Sequence, residues 1–247
     1  MDTESTSKLI YGRNAVTEAI RANRKVEKLM LQKNIEGEGK KLFALAKKAG
    51  IPVQAVPKVA LDKECGGGMH QGVAAVITDY EYSDIDSILA LAASRNEPPF
   101  VLALDGIEDP GNLGAILRSA EGAGVHGVII QKHRAVSVNA TVMKTSAGAA
   151  AHIKVARAPG IRAAVVELKE KGLWIYGLDM EGSPYQDTKF DGGVCLVIGS
   201  EGKGMSRIVR ESCDFLVSIP MKGRIGSLNA SVAASVVLFE VSTRWRR

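Results

Sequence analysis

From residue 100 onward, short apolar runs alternate with segments of helical length. A run of roughly four to eight apolar residues between turn residues is typical of a buried strand. Strands joined by helices pair in parallel, and the helices then cover both faces of the sheet. The alternation therefore predicts an α/β domain with five or six buried parallel strands. The expected strands are residues 100–104, 127–130, 152–155, 173–178, 194–198 and 215–219, and the expected helices are residues 111–123, 138–145, 161–171, 205–212 and 228–244.

The first part of the chain shows the same alternation on a smaller scale, which predicts a separate α/β domain over residues 8–80. A short helical stretch follows, and the sequence RNEPP at 95–99 ends it, because proline cannot continue a helix. We therefore expect a linker at 81–99 and a second domain at 100–247. A chain of 247 residues of which 46% are apolar is long enough to give both domains a core.

The charge of the chain permits a polyanionic partner such as nucleic acid. The net charge is +5, and residues 1–80 carry 13 of the 32 Lys and Arg against 9 of the 27 Asp and Glu. No apolar run reaches the roughly eighteen residues of a membrane span, and the first residues lack the layout of a signal peptide, so we expect a cytoplasmic protein. Cys65, Cys195 and Cys213 are widely spaced, and the four histidines show no ligand spacing. We therefore expect reduced cysteines and no metal site.

Three polar loops that contain glycine follow predicted strands of the large domain. The first holds DPGNLG at 109–114, and an arginine follows at 118. The second holds GSEGKG at 199–204, and the third runs from IPM at 219–221 to SLN at 227–229. In an open parallel sheet, ligands bind outside the carboxyl ends of the strands. The sequence therefore predicts that the three loops form one site.

Each loop contributes a side chain with suitable chemistry. The amide of Asn112 can donate and accept, and we expect it at or before the start of the helix that carries Arg118, whose guanidinium suits a phosphate. Glu201 is a carboxylate on a glycine frame, and Ser227 is expected to cap the last helix, whose first N–H groups are then open to a ligand. The second loop is not a Walker phosphate loop, because only two residues separate its first two glycines and a glycine follows its lysine. Taken singly, each feature also fits an ordinary turn, cap or surface charge.

In combination, the three loops resemble the signature motifs of the SpoU (TrmH-type) ribose methyltransferases, a branch of the SPOUT class, without a departure at the motif positions. The sequences YGRNAV at 11–16 and HQGVAA at 70–75 are similar to the ribosomal-protein-like RNA-binding domain of the same family. The resemblance thus covers all but the first seven residues.

The resemblance implies a small ribosomal-protein-like α/β domain that is followed in the chain by a domain with a trefoil-knotted parallel sheet. It implies S-adenosylmethionine as cofactor, methyl transfer to a ribose 2′-hydroxyl of RNA, and a homodimer with its site at the subunit interface. The cofactor is expected on backbone groups of Gly199, Ile219 and Leu228. The catalytic residues that the resemblance implies are Asn112, Arg118, Glu201, Ser227 and Asn229.

With this front domain and this length, the chain most resembles the bacterial family members that methylate a guanosine of large-subunit rRNA, so a guanosine of 23S rRNA is the expected target. The motifs build the cofactor site and not the RNA surface, so a tRNA ribose or a resistance-type methylation of rRNA fits them too. A non-catalytic RNA-binding or ribosome-assembly protein is the alternative from another class. Because a guanidinium stays protonated at neutral pH, we expect Arg118 to clamp a phosphate and stabilise the developing alkoxide, and the general base stays open.

Overall fold

The computed structural model describes residues 8–22, 24, 26–77, 80–132, 135–224 and 226–245. The chain forms two compact units. The first contains the residues up to Glu81 together with Val138–His152, and the second contains the rest. This division differs from the expected domains at 8–80 and 100–247, because a piece of the later sequence belongs to the first unit and most of the expected linker belongs to the second. None of the described helices is long and apolar enough to cross a membrane.

The first unit is built on a four-stranded mixed sheet with the strand order β1-β4-β2-β3. Strand β4 pairs antiparallel with β1 and β2, whereas β2 and β3 are parallel. Its strands are β1 (Lys8–Tyr11), β2 (Val26–Gln32), β3 (Val53–Val56) and β4 (Val73–Ile77), and its first three helices are α1 (Arg13–Arg21), α2 (Glu38–Lys48) and α3 (Lys58–Glu64).

The helix predicted at 138–145 forms as α6 (Ala140–Thr145), but it packs on β1 and α1 of the first unit. The ammonium of Lys144 lies 5.2 Å from the centre of the Tyr11 ring. One turn of 3₁₀ helix follows, and His152 then pairs with Glu18 of α1. The expectation that α6 serves the large sheet as a crossover helix is therefore wrong, because its contacts lie with the first unit.

The second unit contains a six-stranded sheet with the order β10-β8-β9-β5-β6-β7, and every neighbouring pair is parallel. The predicted parallel α/β architecture is thus confirmed, and the knot stays a prediction. The strands are β5 (Phe100–Asp105), β6 (Gly127–Gln131), β7 (Lys154–Ala158), β8 (Leu173–Pro184), β9 (Gly193–Gly199) and β10 (Phe215–Ser218), and the helices are α4 (Ile85–Ser94), α5 (Pro110–Gly122), α7 (Ile161–Glu170), α8 (Arg207–Arg210) and α9 (Ala230–Trp245).

Side-chain caps explain where several of these helices begin. Asp84, Asp109 and Asn139 each precede a helix, and each side chain accepts a hydrogen bond from a backbone N–H of the first turn. In α5, Pro110 occupies the first helical position, where a missing N–H costs nothing. The start of α5 is therefore fixed at Asp109 and Pro110, directly after strand β5.

The core of the second unit lies around β5 and β9, the two central strands. All six residues of β5 are buried, as are the five central residues of β9. On one face, α7 and the apolar residues of α4 cover these strands, so the expected linker contributes Ile85 and Ile88 to the core. Helices α5 and α9 pack against each other, and α9 also contacts β9. Both helices start at the carboxyl end of the sheet, which places two of the three predicted loops there.

Strand β8 departs from regular pairing with β10. Tyr176 and Gly177 pair with the start of β10, and Ser183 and Pro184 pair with its end. The five residues in between, 178–182, have no partner in β10 at this register shift. This 178–182 segment forms part of the wall of a cavity at the carboxyl end of the sheet.

Candidate functional site

Asn112, Glu201 and Asn229, one from each predicted loop, form a hydrogen-bonded group that we call the Asn–Glu–Asn cluster. Asn112 Nδ2 donates to Glu201 Oε1 at 2.9 Å, and Asn229 Nδ2 donates to Asn112 Oδ1 at 3.0 Å. Asn229 Nδ2 also donates to Glu201 Oε1. The cluster therefore joins the start of α5, the loop after β9 and the start of α9 at one point.

The position of Asn112 differs from the expectation. It is the third residue of α5, not a residue at or before the start, because Asp109 is the cap. The carboxylate of Asp109 accepts the backbone N–H of Asn112 at 2.7 Å. The side-chain amide of Asn112 is then left to bind Glu201 and Asn229.

The loop that carries Glu201 is closed by two backbone hydrogen bonds. Ser200 N donates to Gly204 O at 3.0 Å, and Gly204 N donates to Ser200 O at 2.9 Å. A Cβ atom at Gly199 would lie 2.0 Å from the backbone carbon of Gly204, so only glycine fits. Gly204 itself has φ +65°, which favours glycine as well. The glycines therefore allow the tight loop that holds Glu201 in place.

Asn229, not Ser227, caps α9, and this corrects the expectation. Asn229 Oδ1 accepts the N–H of Ser231 at 2.9 Å and that of Val232 at 3.4 Å, and Glu201 Oε1 accepts the N–H of Ala230 at 3.4 Å. These N–H groups are consequently not open to a ligand. Ser227 lies three residues before the helix and is exposed.

A cavity of about 430 Å³ lies beside the cluster. Gly199, Ile219 and Leu228, the three positions expected to hold a cofactor, all line it, as does Ser227. A volume of a few hundred Å³ with mainly apolar walls suits an organic molecule. The other residues that line this first cavity are Leu178, Asp179, Met180, Ile198, Ser200, Glu201, Gly202, Lys203, Gly204, Met205, Met221, Gly226, Ala230 and Ala233.

A second cavity of about 540 Å³ lies on the side of α5. Ser200, Glu201 and Lys203 border both cavities, so the loop after β9 separates them. Asn112 lines only the second cavity, together with Gly106, Ile107, Glu108, Asp109, Gln131 and Ser206. A small molecule in the first cavity and a polymer segment in the second would thus meet at Glu201.

The structure does not bring Arg118 to the cluster. Its side chain is exposed on α5, lines neither cavity, and makes no hydrogen bond or ion pair with any described residue. Asn112 and Arg118 are six residues apart, which places them on different faces of a helix. Of the five expected catalytic residues, Arg118 is therefore the one that neither joins the cluster nor lines a cavity.

Two supporting residues are absent from the sequence-based expectations. Asp105, the last residue of β5, is only 5% exposed, and its carboxylate accepts Gln131 Nε2 at 3.1 Å and Ser206 N at 2.7 Å. It ties the end of the Glu201 loop to the sheet. A charged residue that ends an apolar strand is the signal by which it could have been found.

Arg210 is the second such residue, and it holds the 178–182 segment. Its Nε donates to Asp179 Oδ2 at 2.9 Å, and its Nη2 donates to Glu181 Oε2 at 2.7 Å. The hydrogen bond to Asp179 raises the pKa of the Arg210 guanidinium. Asp179 also accepts the N–H of Glu181 at 2.9 Å. These contacts fix the wall of the first cavity, and no local pattern in the sequence predicts them.

Comparison with known proteins identifies the family. The model of the SpoU rRNA methylase family matches residues 99–239, and the model of the RNA 2′-O ribose methyltransferase substrate-binding domain matches residues 9–83. YacO of Bacillus subtilis, which is assigned to the TrmH family of tRNA/rRNA methyltransferases, is 46% identical over 236 residues, which are 94% of each chain. A protein of Staphylococcus aureus with the same family assignment is 44% identical, again over 94% of each chain.

Solved structures agree with this assignment. The SpoU methyltransferase AviRb from Streptomyces viridochromogenes in complex with AdoMet has a TM-score of 0.81 and 27% identity, and the match covers 98% of this chain and 91% of AviRb. The chain therefore belongs to the SpoU/TrmH family of RNA methyltransferases. Its cofactor is S-adenosylmethionine, and the first cavity, with its glycine cradle at Gly199, fits a molecule of that size.

Proposed function

We propose that the protein transfers a methyl group from S-adenosylmethionine to a ribose 2′-hydroxyl of RNA. The observation that carries this proposal is the Asn–Glu–Asn cluster, which lies between two cavities and joins three loops. The match of the front part to a substrate-binding domain named for RNA 2′-O ribose methyltransferases supports the ribose as acceptor.

In this proposal the first cavity holds the cofactor. Backbone groups of Gly199, Ile219 and Leu228, all in its lining, bind it, and Ser227 contacts it or the substrate from the same wall. Bound there, S-adenosylmethionine supplies a methyl group that is already activated by its sulfonium. The protein then needs mainly to hold the acceptor oxygen in line, because positioning supplies much of the acceleration in such a displacement. The oxygen–methyl bond forms as the methyl–sulfur bond breaks, S-adenosylhomocysteine leaves, and the hydroxyl proton passes to a general base or to water.

The acceptor nucleotide occupies the second cavity. Asn112 and Asn229 orient Glu201, and the three side chains together fix the border at which the two ligands meet. In a homodimer with its site at the subunit interface, Arg118 of a second copy clamps a phosphate and stabilises the alkoxide that develops on the acceptor oxygen, because a guanidinium remains protonated at neutral pH. Its exposure and its lack of a partner among the described residues leave it available for that contact.

We further propose a guanosine of 23S rRNA as the target, with an activity like that of the bacterial methyltransferase RlmB. The basic front domain, at residues 8–80, and the rRNA named in the family description support an rRNA target. A tRNA ribose remains the second candidate, since the names of the bacterial relatives include both RNAs. A resistance-type methylation of rRNA would use the same cluster and differ only in the nucleotide.

We also propose that the protein is a homodimer and acts in the cytoplasm. Helix α9 exposes Val232 at 48% and Phe239 at 50%, and a second copy would cover these apolar side chains. Light scattering after size exclusion should give the mass of two chains for the wild type. Phe239→Glu should shift the mass toward that of one chain, and a monomeric wild type would contradict the dimer.

The decisive experiment is methyl transfer from labelled S-adenosylmethionine to total RNA from a strain that lacks the gene. We expect label in the large-subunit rRNA fraction, and mapping should find one position where the 2′-oxygen resists alkaline cleavage. Label in tRNA would select the second candidate. Label on a base or on protein would contradict ribose methylation, and an absence of transfer to any RNA would favour the non-catalytic RNA-binding alternative.

A further inference from the structure

Three side chains border both cavities, and they differ in what they bind. Ser200 donates to Gly204 O at 3.5 Å, and Glu201 accepts from Asn112 and Asn229. Lys203 makes no hydrogen bond or ion pair with any residue in the described part of the chain. Of these three side chains, only that of Lys203 has no hydrogen-bond partner among the described residues, so its ammonium is available to a ligand at the border between the two cavities.

The backbone fixes the place from which Lys203 reaches out. It lies between Gly202, with φ +75°, and Gly204, with φ +65°, inside the turn closed by the two hydrogen bonds of Ser200 and Gly204. Gly199 packs against this turn so closely that no Cβ would fit. A long side chain on a fixed turn can sample the border of the cavities without moving the turn.

The charges around the two cavities give Lys203 a distinct role. The charged side chains in the linings are Glu108, Asp109, Asp179, Glu201 and Lys203, so Lys203 is the sole cation among the described lining residues. A phosphodiester placed in the second cavity would be repelled by the carboxylates at its rim. Arg118 lies outside both linings, so among the described lining residues only Lys203 brings a positive charge to the border.

We propose that Lys203 binds a backbone phosphate of the nucleotide whose ribose is methylated, and so positions the acceptor in the second cavity. This inference rests on the proposed function, since it takes RNA as the polymer in that cavity. Lysine binds phosphate as a point charge and releases a counterion from the RNA, so the contact should appear in the salt dependence of binding.

The test uses the full chain with Lys203→Gln, Lys203→Arg and, as a matched control, Lys222→Gln. Lys222 is exposed in the third loop and lines neither cavity. The probe is bulk RNA from the strain lacking the gene. We expect Lys203→Gln to raise KM for RNA about tenfold or more, the loss of one charge-assisted contact, while kcat and the Kd for S-adenosylmethionine stay near the wild-type values. Lys203→Arg should keep most of the affinity.

Salt titration gives a readout that does not need catalysis. Loss of one phosphate contact should reduce the slope of log K against log salt by about 0.7 for single-stranded RNA. The proposal is overturned if the slope is unchanged, if kcat falls while KM stays constant, if the Kd for S-adenosylmethionine rises in parallel, or if Lys222→Gln has the same effect. A wild type that binds RNA but transfers no methyl group would contradict the proposed function, and the salt slope would still decide the role of Lys203.

Discussion

Asn112 donates a hydrogen bond of 2.9 Å to Glu201, although 89 residues separate them in sequence. The same carboxylate oxygen accepts from Asn229. Because one oxygen binds two amides, the orientation of both amides is set: Asn112 turns its own oxygen to Asn229, and Asn229 turns its oxygen to the start of α9. Glu201 therefore positions both the amide of Asn112, which lines the second cavity, and the amide of Asn229, which caps α9.

Replacement of Glu201 should separate its hydrogen bonding from its charge. Glu201→Gln keeps an acceptor oxygen and should lower kcat about tenfold, whereas Glu201→Ala leaves both amides without their shared acceptor and should lower it about a hundredfold. Methyl transfer under single-turnover conditions measures both. If Glu201→Gln is as inactive as Glu201→Ala, the carboxylate charge, and not the hydrogen bonding, is what the cluster needs.

Gly199→Ala should destabilise the protein and weaken cofactor binding together. The new Cβ would lie 2.0 Å from the backbone of Gly204, so the turn must shift, at a cost of about 3 kcal/mol. Gly223→Ala is the matched control, since nothing lies within 4 Å of a Cβ there and its φ is not positive. Urea unfolding and calorimetric titration with S-adenosylmethionine check the pair. Equal stability of the two variants would contradict the packing argument.

The six parallel strands could be predicted because buried strands are continuous apolar runs, and all six form close to the expected positions. The packing partner of α6 could not be predicted, because helical periodicity indicates that a helix forms but not which sheet the helix packs on. The cap of α9 was missed because Ser and Asn cap about equally well, and the path of the loop decided between Ser227 and Asn229.

The residues that hold the cavity wall in place, such as Arg210, were harder to predict than the motif residues of the site. The motif positions 112, 201 and 229 were expected from the resemblance, and the structure brings these three side chains together. Arg210 and Asp179 are 31 residues apart, and their contact depends on the register shift between β8 and β10. Such a register shift arises from tertiary packing, so no local sequence pattern predicts it.

Arg210→Ala should raise the Kd for S-adenosylmethionine about three- to tenfold, because two partly exposed ion pairs that fix the 178–182 segment are lost. Arg207→Ala removes a neighbouring ion pair with Glu211 that contacts neither cavity, and it should leave the Kd unchanged. Affinity for RNA should stay constant in both. An unchanged Kd in Arg210→Ala would mean that the segment holds its shape without the arginine.

Arg118→Lys should keep part of the activity that Arg118→Ala loses. A lysine still offers a positive charge to a phosphate or an alkoxide, although it lacks the planar fork of arginine. Both variants should fold with wild-type stability, because Arg118 is exposed and makes no hydrogen bond or ion pair with the described residues. Single-turnover rates decide the point: a loss as complete in Arg118→Lys as in Arg118→Ala would rule out a simple charge role.

The three thiols should be unreactive in the folded protein at about pH 8. Burial raises the pKa of Cys213 to about 11 and also raises the pKa of Cys65 and Cys195. Cys213 Sγ donates to Val209 O at 3.4 Å, a contact that only the protonated thiol can make. A raised folded-state pKa stabilises the fold below the unfolded value of about 8.5, and this contribution is lost as the pH rises toward 11.

Titration with a thiol-reactive chromophore should therefore detect three thiols in guanidinium chloride and almost none in the native protein. Fast labelling of a thiol in the native protein would contradict the burial.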